Sequence, residues 1–527
     1  MAAKQKTVSA PKSRGALQRE LLARIYVVVM LCLFPLYLNA EKYFSLTKHK
    51  AVFFFVATIL TFVSIPILFF TQFDGTSLIK TQKKRFSLSF AGWALAGFLF
   101  ITLLSSVFTP YPEHVFWGYT ERYDGLMTQL LYAGIFCFVL FYYRPREWDF
   151  AAFAISSILV CAIGILQYYE MDFLKLFPHD VMPGLTGKTI IFRTTLGNID
   201  VVSSYLSITV VFFGILYTRH ESKFRLLYLA AGAINTYMLM VAGAEAGMVG
   251  ALAAFLLSLP FVMTDLKSFA RLMLLGGVYA LMIFLFNTGN AEPGTVHVLG
   301  SRWFLIAIAL LVLGSILFLA ARQIKVAPKE ATMRWIGASL TVLILIMGVV
   351  ALEHIGKDPA TGTLYQAREM INGNLQDEFG SYRGYVWNRS IQLLKEDTPV
   401  GQLLFGSGPD TFVDRFAPFK EESISRLNQY YDKAHNEYLQ ILICQGILGL
   451  ATYLAFLGAV LLKAIKPAFE NPLLLACLLA CVSYLVQAFF SISLPISAPA
   501  LWILLGIVVM LSRGQADTAA SGEIRFP

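Results

Sequence analysis

Long apolar runs, each about as long as a membrane-crossing helix, dominate this sequence. About 20 apolar residues span a bilayer as an α-helix, because a spanning segment must satisfy its own backbone hydrogen bonds. Hydrophobic residues make up 57% of the chain, and its mean hydropathy is +0.64. We therefore predict an all-α polytopic membrane protein with about 12–14 transmembrane helices. The runs are residues 24–41, 51–71, 88–108, 126–143, 150–170, 199–217, 225–242, 246–264, 270–288, 302–321, 333–352, 436–462, 472–491 and 495–512.

Basic residues cluster in alternate loops between these runs. Cytoplasmic loops of membrane proteins carry an excess of Lys and Arg, so the pattern predicts a cytoplasmic amino terminus, with the first run acting as a retained signal anchor. The net charge of +9 is explained by this topology, and we predict no nucleic-acid partner. The loop clusters contain Lys80, Lys83, Lys84, Arg85, Arg144, Arg146, Arg219, Lys223, Arg225, Lys267, Arg271, Arg322, Lys325, Lys329, Arg334, Lys463, Lys466 and Arg513.

The topology divides the chain into four parts. Residues 1–352 hold transmembrane helices 1–11, residues 353–435 form one large extracytoplasmic loop, residues 436–512 hold the last transmembrane helices, and residues 513–527 form a cytoplasmic tail. The large loop carries Arg383 and ends at His435. Apolar side chains at helical spacing between Tyr382 and Lys395 predict an amphipathic helix lying on the membrane.

Four arginines occur in the loops assigned to the outer side, with little nearby acid to explain them: Arg122, Arg193, Arg302 and Arg383. A diphosphate at a membrane interface needs several cationic donors, because one guanidinium does not neutralise it. Converging arginines therefore predict a polyprenyl diphosphate site. For each single arginine, snorkelling or contact with lipid headgroups is the alternative.

His435 lies at the first turn of a predicted span. A helix N-terminus disfavours the imidazolium, which keeps a neutral base available near neutral pH. The alternative is a histidine that only flanks the helix. Asn436 is the expected N-cap of that helix.

Further polar residues lie at span boundaries. Asp200 follows Asn198 closely, and Glu245 lies in the short connection AGAEAG, so either carboxylate is a candidate for orienting His435 or pairing with an arginine. Gly406 and Gly408 are more typical of a plain turn than of a phosphate-binding loop. The histidines are scattered, the six cysteines lie in apolar runs, and no paired acidic motif is present, so we predict no metal and no cofactor.

Three blocks in order carry a resemblance to a known family. They are Arg193–Asn198 leading into Ser204–Leu206; Arg383 and Trp387 followed by Phe405–Gly408; and His435–Leu439 running into Gly446–Leu450. The chain resembles the O-antigen ligase and polymerase-like family of bacterial membrane glycosyltransferases, with Glu121–Leu126 (ERYDGL) as a softer fourth block.

The resemblance implies a fold related to the GT-C glycosyltransferases. It also implies transfer of a glycan from an undecaprenyl diphosphate carrier to an acceptor, without nucleotide sugar or metal. Arg383 and Arg193 would bind the diphosphate, and His435 would be the base for the acceptor hydroxyl. Where family members often have Ser-Arg-Gly, this chain has Glu245 between two alanines. Arg122 or Lys188 would then compensate for the lost cation.

The expected partners are a polyprenyl diphosphate-linked glycan donor, a glycan, lipid or protein acceptor, and the bilayer of a bacterial cytoplasmic (inner) membrane, with the active site facing outward. A repeat-unit polymerase and a protein O-oligosaccharyltransferase share this chemistry and differ in the acceptor. A transporter or flippase for lipid-linked glycan is the alternative from another class, and a structural scaffold is the weakest. The sequence leaves open the sugar, the acceptor, the presence of an outer membrane and the oligomeric state.

Overall fold

The computed structural model describes residues 14–70, 89–176, 192–289, 298–323, 328–359 and 362–521. In this part of the chain, eleven helices are long and apolar enough to cross a membrane, and the strands form one two-stranded hairpin. Two shorter apolar helices, Leu126–Tyr142 and Ala498–Arg513, coincide with two more of the predicted runs. The predicted fold class, an all-α polytopic membrane protein, is confirmed.

The helices and strands follow one another along the chain with mostly short connections. They are α1 (Arg14–Val28), a π-helical turn (Val29–Leu33), α2 (Phe34–Leu36), a 3-10 turn (Lys42–Ser45), α3 (Leu46–Phe70), α4 (Phe90–Val107), α5 (Pro112–Val115), α6 (Leu126–Tyr142), α7 (Glu147–Tyr168), β1 (Phe192–Arg193), β2 (Gly197–Asn198), α8 (Ile199–Arg219), α9 (Arg225–Ala242), α10 (Glu245–Val262), α11 (Leu266–Gly289), α12 (Val298–Gln323), α13 (Glu330–Ile355), α14 (Thr363–Ile371), α15 (Phe379–Glu396), α16 (Val400–Phe405), α17 (Phe412–Arg415), a 3-10 turn (Ala417–Phe419), α18 (Lys420–Leu427), α19 (Glu437–Ala468), α20 (Pro472–Gln487), a 3-10 turn (Ala488–Phe490) and α21 (Ala498–Ser521).

The first apolar run differs from its predicted bounds of 24–41. Its helical segment begins at Arg14, continues through the π-helical turn and ends at Leu36, where Tyr37 adopts an extended backbone with ψ 129°. Hydropathy locates apolar side chains, whereas backbone hydrogen bonding continues into the polar residues that precede them.

Helix α8 lies at the centre of the bundle. All residues from Val201 to Thr218 are buried, and the helix packs against α9, α10 and α20. By contrast, only 11% of the apolar stretch of α12 or of α13 is buried. Because α8 is held on several sides, the first turn of α8, which contains Asp200, has a fixed position.

Ion pairs between different helices occur at both ends of the bundle. At one end Arg24 pairs with Asp149 at 2.6 Å, and both residues adjoin segments that the charge pattern assigns to the cytoplasm. At the other end, where α8 begins, Asp200 meets the large loop through Arg383 at 3.1 Å. Each of these ion pairs thus joins segments that the charge alternation assigns to the same side of the membrane. Which end of the bundle faces outward stays a prediction.

The loop that precedes α19 has a small hydrophobic core of its own. Phe379, Tyr385, Trp387, Phe412 and Tyr431 are buried together there. The helix predicted from Tyr382 to Lys395 is present within α15. The prediction that its apolar face contacts the membrane was wrong, because the aromatic side chains of that face are buried against the rest of the loop and α19.

The turn at Gly406 to Gly408 fits into a break in α19. Gly446 interrupts that helix with φ 73° and ψ −176°, and the amides of Ser407 and Gly408 donate to the carbonyls of Ile443 (3.3 Å) and Cys444 (2.8 Å). These two amides are therefore engaged with protein carbonyls. The predicted plain turn is confirmed, and its function is to anchor the large loop on α19.

Gly446→Ala is expected to lower the free energy of unfolding by about 2 kcal/mol or more. An added Cβ would lie 2.4 Å from the carbonyl oxygen of Leu404, and the backbone conformation is one that L side chains rarely adopt. The measurement is the thermal unfolding midpoint of the purified protein in detergent.

Gly458→Ala is the matched control within the same helix. Apart from the backbone of its own helix and its chain neighbours, no heavy atom of the described residues lies within 4 Å of a Cβ placed there, so this variant should unfold at or slightly above the wild-type midpoint. Equal midpoints for the two variants would contradict the helix break as a structural requirement.

Candidate active site

His435 is held at the start of α19 by contacts on both sides. Its own backbone is left-handed, with φ 50°. The indole nitrogen of Trp387 donates to the carbonyl of Ala434 at 3.0 Å, and the Asn436 side chain caps α19 by accepting from the amide of Leu439 at 3.0 Å. Asn436 is thus the N-cap, as predicted. These contacts hold the residues on both sides of His435 in place and so fix the position of its backbone.

One carboxylate joins His435 to Arg383. Asp200 Oδ1 lies 3.1 Å from Arg383 Nη2, and Asp200 Oδ2 lies 3.8 Å from His435 Nδ1. Asp200 is positioned by Asn198, the N-cap of α8, whose side chain accepts from the Asp200 amide at 2.8 Å. Four residues singled out in the sequence are therefore brought to one place by α8, α15 and α19.

Arg383 enters this group from an unusual backbone. Gly380, Ser381 and Tyr382 all have left-handed φ and ψ, which turns the chain sharply just before the arginine. Arg383 Nη1 donates to the Gly380 carbonyl at 3.0 Å, while Nε is buried without a hydrogen-bond partner among the described residues. One strong donor of this guanidinium is therefore uncommitted within the described structure.

Arg122 approaches the same region already paired. Its Nε and Nη2 each donate to Asp432 at 2.8 Å, which is the bidentate geometry of a strong guanidinium–carboxylate pair. The expectation that these arginines have little acid nearby is wrong for Arg122 and Arg383, because Asp432 and Asp200 are close to them only in the folded chain.

Arg193 lies in the β1–β2 hairpin that leads into α8. Its residue is 2% exposed, and its guanidinium carbon lies 5.0 Å from the centre of the Tyr168 ring. Burial, the largest influence, lowers the pKa of Arg193 from its ordinary value. The hairpin is also tied by Thr194, whose amide donates to Gln167 at 2.7 Å. Arg193 therefore lies only a few residues before Asp200 in the sequence, but its guanidinium packs against the Tyr168 ring as a buried cation.

Glu245 is the first residue of α10 and is exposed, and its carboxylate has no ion pair among the described residues. Arg302 is exposed in α12. Lys188, the alternative compensating cation, lies outside the described residues.

A second charged cluster lies behind His435 and was missed in the sequence. Lys433 Nζ lies 2.7 Å from Asp410 and 3.0 Å from Asp124, and its side chain is 2% exposed. Burial disfavours the ammonium, but Asp124 and Asp410 outweigh it, so the pKa of Lys433 is raised. Asp410 also accepts from the amide of Tyr119 at 2.8 Å. Asp124 lies in the ERYDGL block, and Asp410 ends the GSGPD turn, so both segments stood out in the sequence. Nothing in their spacing indicates that they pair with Lys433.

A small cavity adjoins His435, and a separate apolar groove lies along α19. A polar cavity of about 30 Å³ is lined by His435, Lys433 and Glu437, among others. An apolar groove of about 560 Å³ runs between α19 and α20, with Tyr438 and Phe489 on its wall. The imidazole thus lines the small polar space, whereas the groove begins at Tyr438, three residues further along the chain.

The electrostatic setting keeps His435 neutral at physiological pH. Burial is the largest influence and lowers its pKa to about 4; Asp200 acts in the opposite direction, and Arg383 and Arg122 lower it further. A neutral imidazole with a carboxylate 3.8 Å from Nδ1 is chemically able to accept a proton at Nε2.

The fold and this site define a polytopic membrane protein with an arginine–aspartate–histidine group at one end of its helices. A family model described as O-Antigen ligase matches residues 293–454, the stretch that supplies Arg383 and His435. The match confirms the predicted resemblance to an O-antigen ligase-like family and supports a membrane protein of glycosyltransferase type. No curated protein matches the chain.

Lys433→Met is expected to destabilise the fold by about 3–5 kcal/mol, because it leaves Asp124 and Asp410 buried without a counter-charge. Thermal unfolding in detergent measures this. Glu330→Gln, which removes the exposed partner of Arg334, is the control and should change the midpoint little. A Lys433→Met midpoint equal to wild type would contradict a structural role for the cluster.

The acid limb of kcat/KM is expected near pH 4 instead of near 6.5. His435 accepts a proton only while neutral, and its lowered pKa keeps it neutral until the pH falls through about 4. Asp200→Asn removes the carboxylate that favours the imidazolium, so the limb should move lower. The rate at neutral pH should fall roughly 100-fold, because the base is weaker and less well oriented.

The measurement is the pH profile of glycan transfer by purified protein. Asp414→Asn is the matched control, because Asp414 faces His114 at 3.7 Å at the same end of the bundle and should leave the profile unchanged. A limb near 6.5 that Asp200→Asn does not move would exclude His435 as the titrating base.

Proposed function

We propose that this protein is an inverting, O antigen ligase-like glycosyltransferase. It transfers a glycan from an undecaprenyl diphosphate carrier to an acceptor hydroxyl on the outer face of the bacterial cytoplasmic membrane. The observation that carries the proposal is the Asp200 carboxylate, which lies between Arg383 and His435 and so brings a phosphate-binding cation and a base to one place.

Arg383 is the best-supported contact for the diphosphate. It is held in place by Gly380 and Asp200, yet its Nε has no partner among the described residues. A guanidinium binds phosphate oxygens through parallel N–H donors and stays charged at every physiological pH. Arg122, compensated by Asp432, and Arg193, buried against Tyr168, are the further cations proposed for the diphosphate.

His435 takes the proton of the acceptor hydroxyl. The acceptor oxygen forms a bond with the anomeric carbon as the bond from that carbon to the diphosphate oxygen breaks, so the configuration inverts. The electron pair leaves with the undecaprenyl diphosphate, and the proton remains on His435 until solvent removes it. Arg383 stabilises the charge that grows on the leaving diphosphate, the role that a metal ion would otherwise have. We infer that the reaction is metal-independent.

The apolar groove between α19 and α20 is the proposed place for the prenyl tail. It opens beside Tyr438, three residues after His435, and its walls come from leucines, valines and phenylalanines. An apolar chain lying there would put its diphosphate head close to the start of α19. The acceptor is a lipid-linked glycan in a polymerase, a protein hydroxyl in an O-oligosaccharyltransferase, and another envelope glycan in a ligase.

His435→Ala is expected to reduce glycan transfer by roughly 10²–10⁴-fold while the protein stays inserted and abundant. The assay incubates purified protein with an undecaprenyl diphosphate-linked glycan and candidate acceptors in EDTA. Product size separates transfer of one glycan from polymerisation, and turnover in chelator tests metal independence.

His354→Ala is the matched control. His354 is exposed at the last turn of α13, where the large loop begins, and its loss should leave transfer unchanged. Wild-type transfer by His435→Ala would remove the base from the mechanism. Movement of the lipid-linked glycan across the bilayer without any transfer would favour the transporter.

A further inference from the structure

A pocket rich in cations lies at the end of the bundle opposite His435. Helix α8 runs from Asp200 at the candidate site to Arg219 at this other end. Just beyond it, α9, α11 and α12 enclose a cavity of about 350 Å³. Its lining residues are Arg225, Lys267, Arg271, Phe318, Ala321 and Arg322.

The positive charge of this pocket exceeds the negative charge in contact with it. Glu221 pairs with Arg271 at 2.8 Å, with Lys267 at 3.4 Å and with Arg225. Among the described residues this single carboxylate therefore serves three cations. Arg322 adds a fourth, and its described contact is with the ring of Phe318, 4.9 Å away.

Arg271 shows that this charge is built into the protein. Its side chain is 4% exposed, and Nη1 is directed to Glu221 and, at 3.5 Å, to the carbonyl of Thr218. A buried guanidinium is costly unless its charge is compensated. Because Glu221 is 64% exposed and its single charge is shared by three cations, positive charge remains in excess among the described residues, and an additional anion would be stabilised here.

The backbone adds to the same field. Helix α9 begins at Arg225, beside the pocket and without a side-chain cap, whereas the N-terminus of α11 is already capped by Asp265, whose Oδ1 accepts from the Ser268 amide at 2.9 Å. Helix N-termini favour anions through their free amides and macrodipole. The charge rule for membrane topology requires many cations in cytoplasmic loops but does not require them to lie close together. Here they line one cavity that is large enough for a phosphate-bearing group.

We propose that this pocket binds an anionic phosphate group, independently of the transferase site. Phe318 and Ala321 give it an apolar wall on α12, a helix of which only 11% of the apolar stretch is buried. An acyl chain lying along that exposed helix would place a phospholipid phosphate among the cations, so the headgroup of an anionic phospholipid is the favoured source. Free phosphate has the same chemistry and is the other source.

The test measures binding of three probes to delipidated full-length protein in detergent by calorimetry. The probes are dioctanoyl phosphatidylglycerol, dioctanoyl phosphatidylcholine and inorganic phosphate. Phosphatidylglycerol should bind more tightly than phosphatidylcholine. Lys267→Gln and Arg322→Gln should each weaken its binding roughly fivefold, and the double variant roughly 30-fold, because each cation near the headgroup contributes similarly.

Lys329→Gln is the control, because it removes an exposed cation at the same end of the bundle and outside the pocket. Its phosphatidylglycerol affinity should equal wild type. If inorganic phosphate binds with the same dependence on Lys267 and Arg322 and phosphatidylglycerol binds no tighter, the site is confirmed with free phosphate as the source.

Equal affinity for phosphatidylcholine and phosphatidylglycerol, or equal losses in Lys329→Gln and the pocket variants, would overturn the proposal. The two single variants keep the test decisive if the double variant does not fold, since Lys267 is 51% exposed and Arg322 is exposed.

Discussion

The carboxylate of Asp200 is the contact on which the arrangement of the site depends. It faces a guanidinium on one side and an imidazole on the other, in a region that is only partly exposed to water. In such surroundings charge interactions are stronger than in bulk water, and an unpaired charge is expensive. Asp200 therefore holds Arg383 close to His435, and because α8 is buried along most of its length, neither partner is free to drift.

The large loop supplies the rest of this preorganisation. Ser381, Tyr382 and His435 adopt left-handed backbones, at a cost of roughly 1–2 kcal/mol each for residues with a side chain. Such strain persists only where surrounding structure over-determines it. The buried aromatic core of the loop, the Trp387 bond to Ala434 and the glycine turn in the break of α19 provide that support. The loop thus tolerates unfavourable backbone conformations at these residues, and the side chains of the site are held in position before any ligand binds.

The two ends of the bundle use charge in different ways. Near His435, Arg122 pairs with Asp432, and Lys433 pairs with two aspartates. At the opposite end several cations share Glu221. Matched pairs fix geometry, whereas a shared carboxylate leaves positive potential for a ligand or for the membrane surface. Helix α8 connects these two environments through a core of apolar side chains.

The sequence by itself determined the helical membrane fold and named His435, Arg383 and Asp200, because apolar run length and isolated polar residues at span boundaries are local properties. Tertiary structure alone decided which charges meet. Lys433 and Asp124 are 309 positions apart, and no periodicity relates them. Glu245 and Asp200 looked equivalent as acids at span boundaries, yet only Asp200 starts a helix whose packing directs it at the large loop. Contacts between residues so far apart in the sequence depend on how the helices pack, and the positions of the residues along the chain do not reveal that packing.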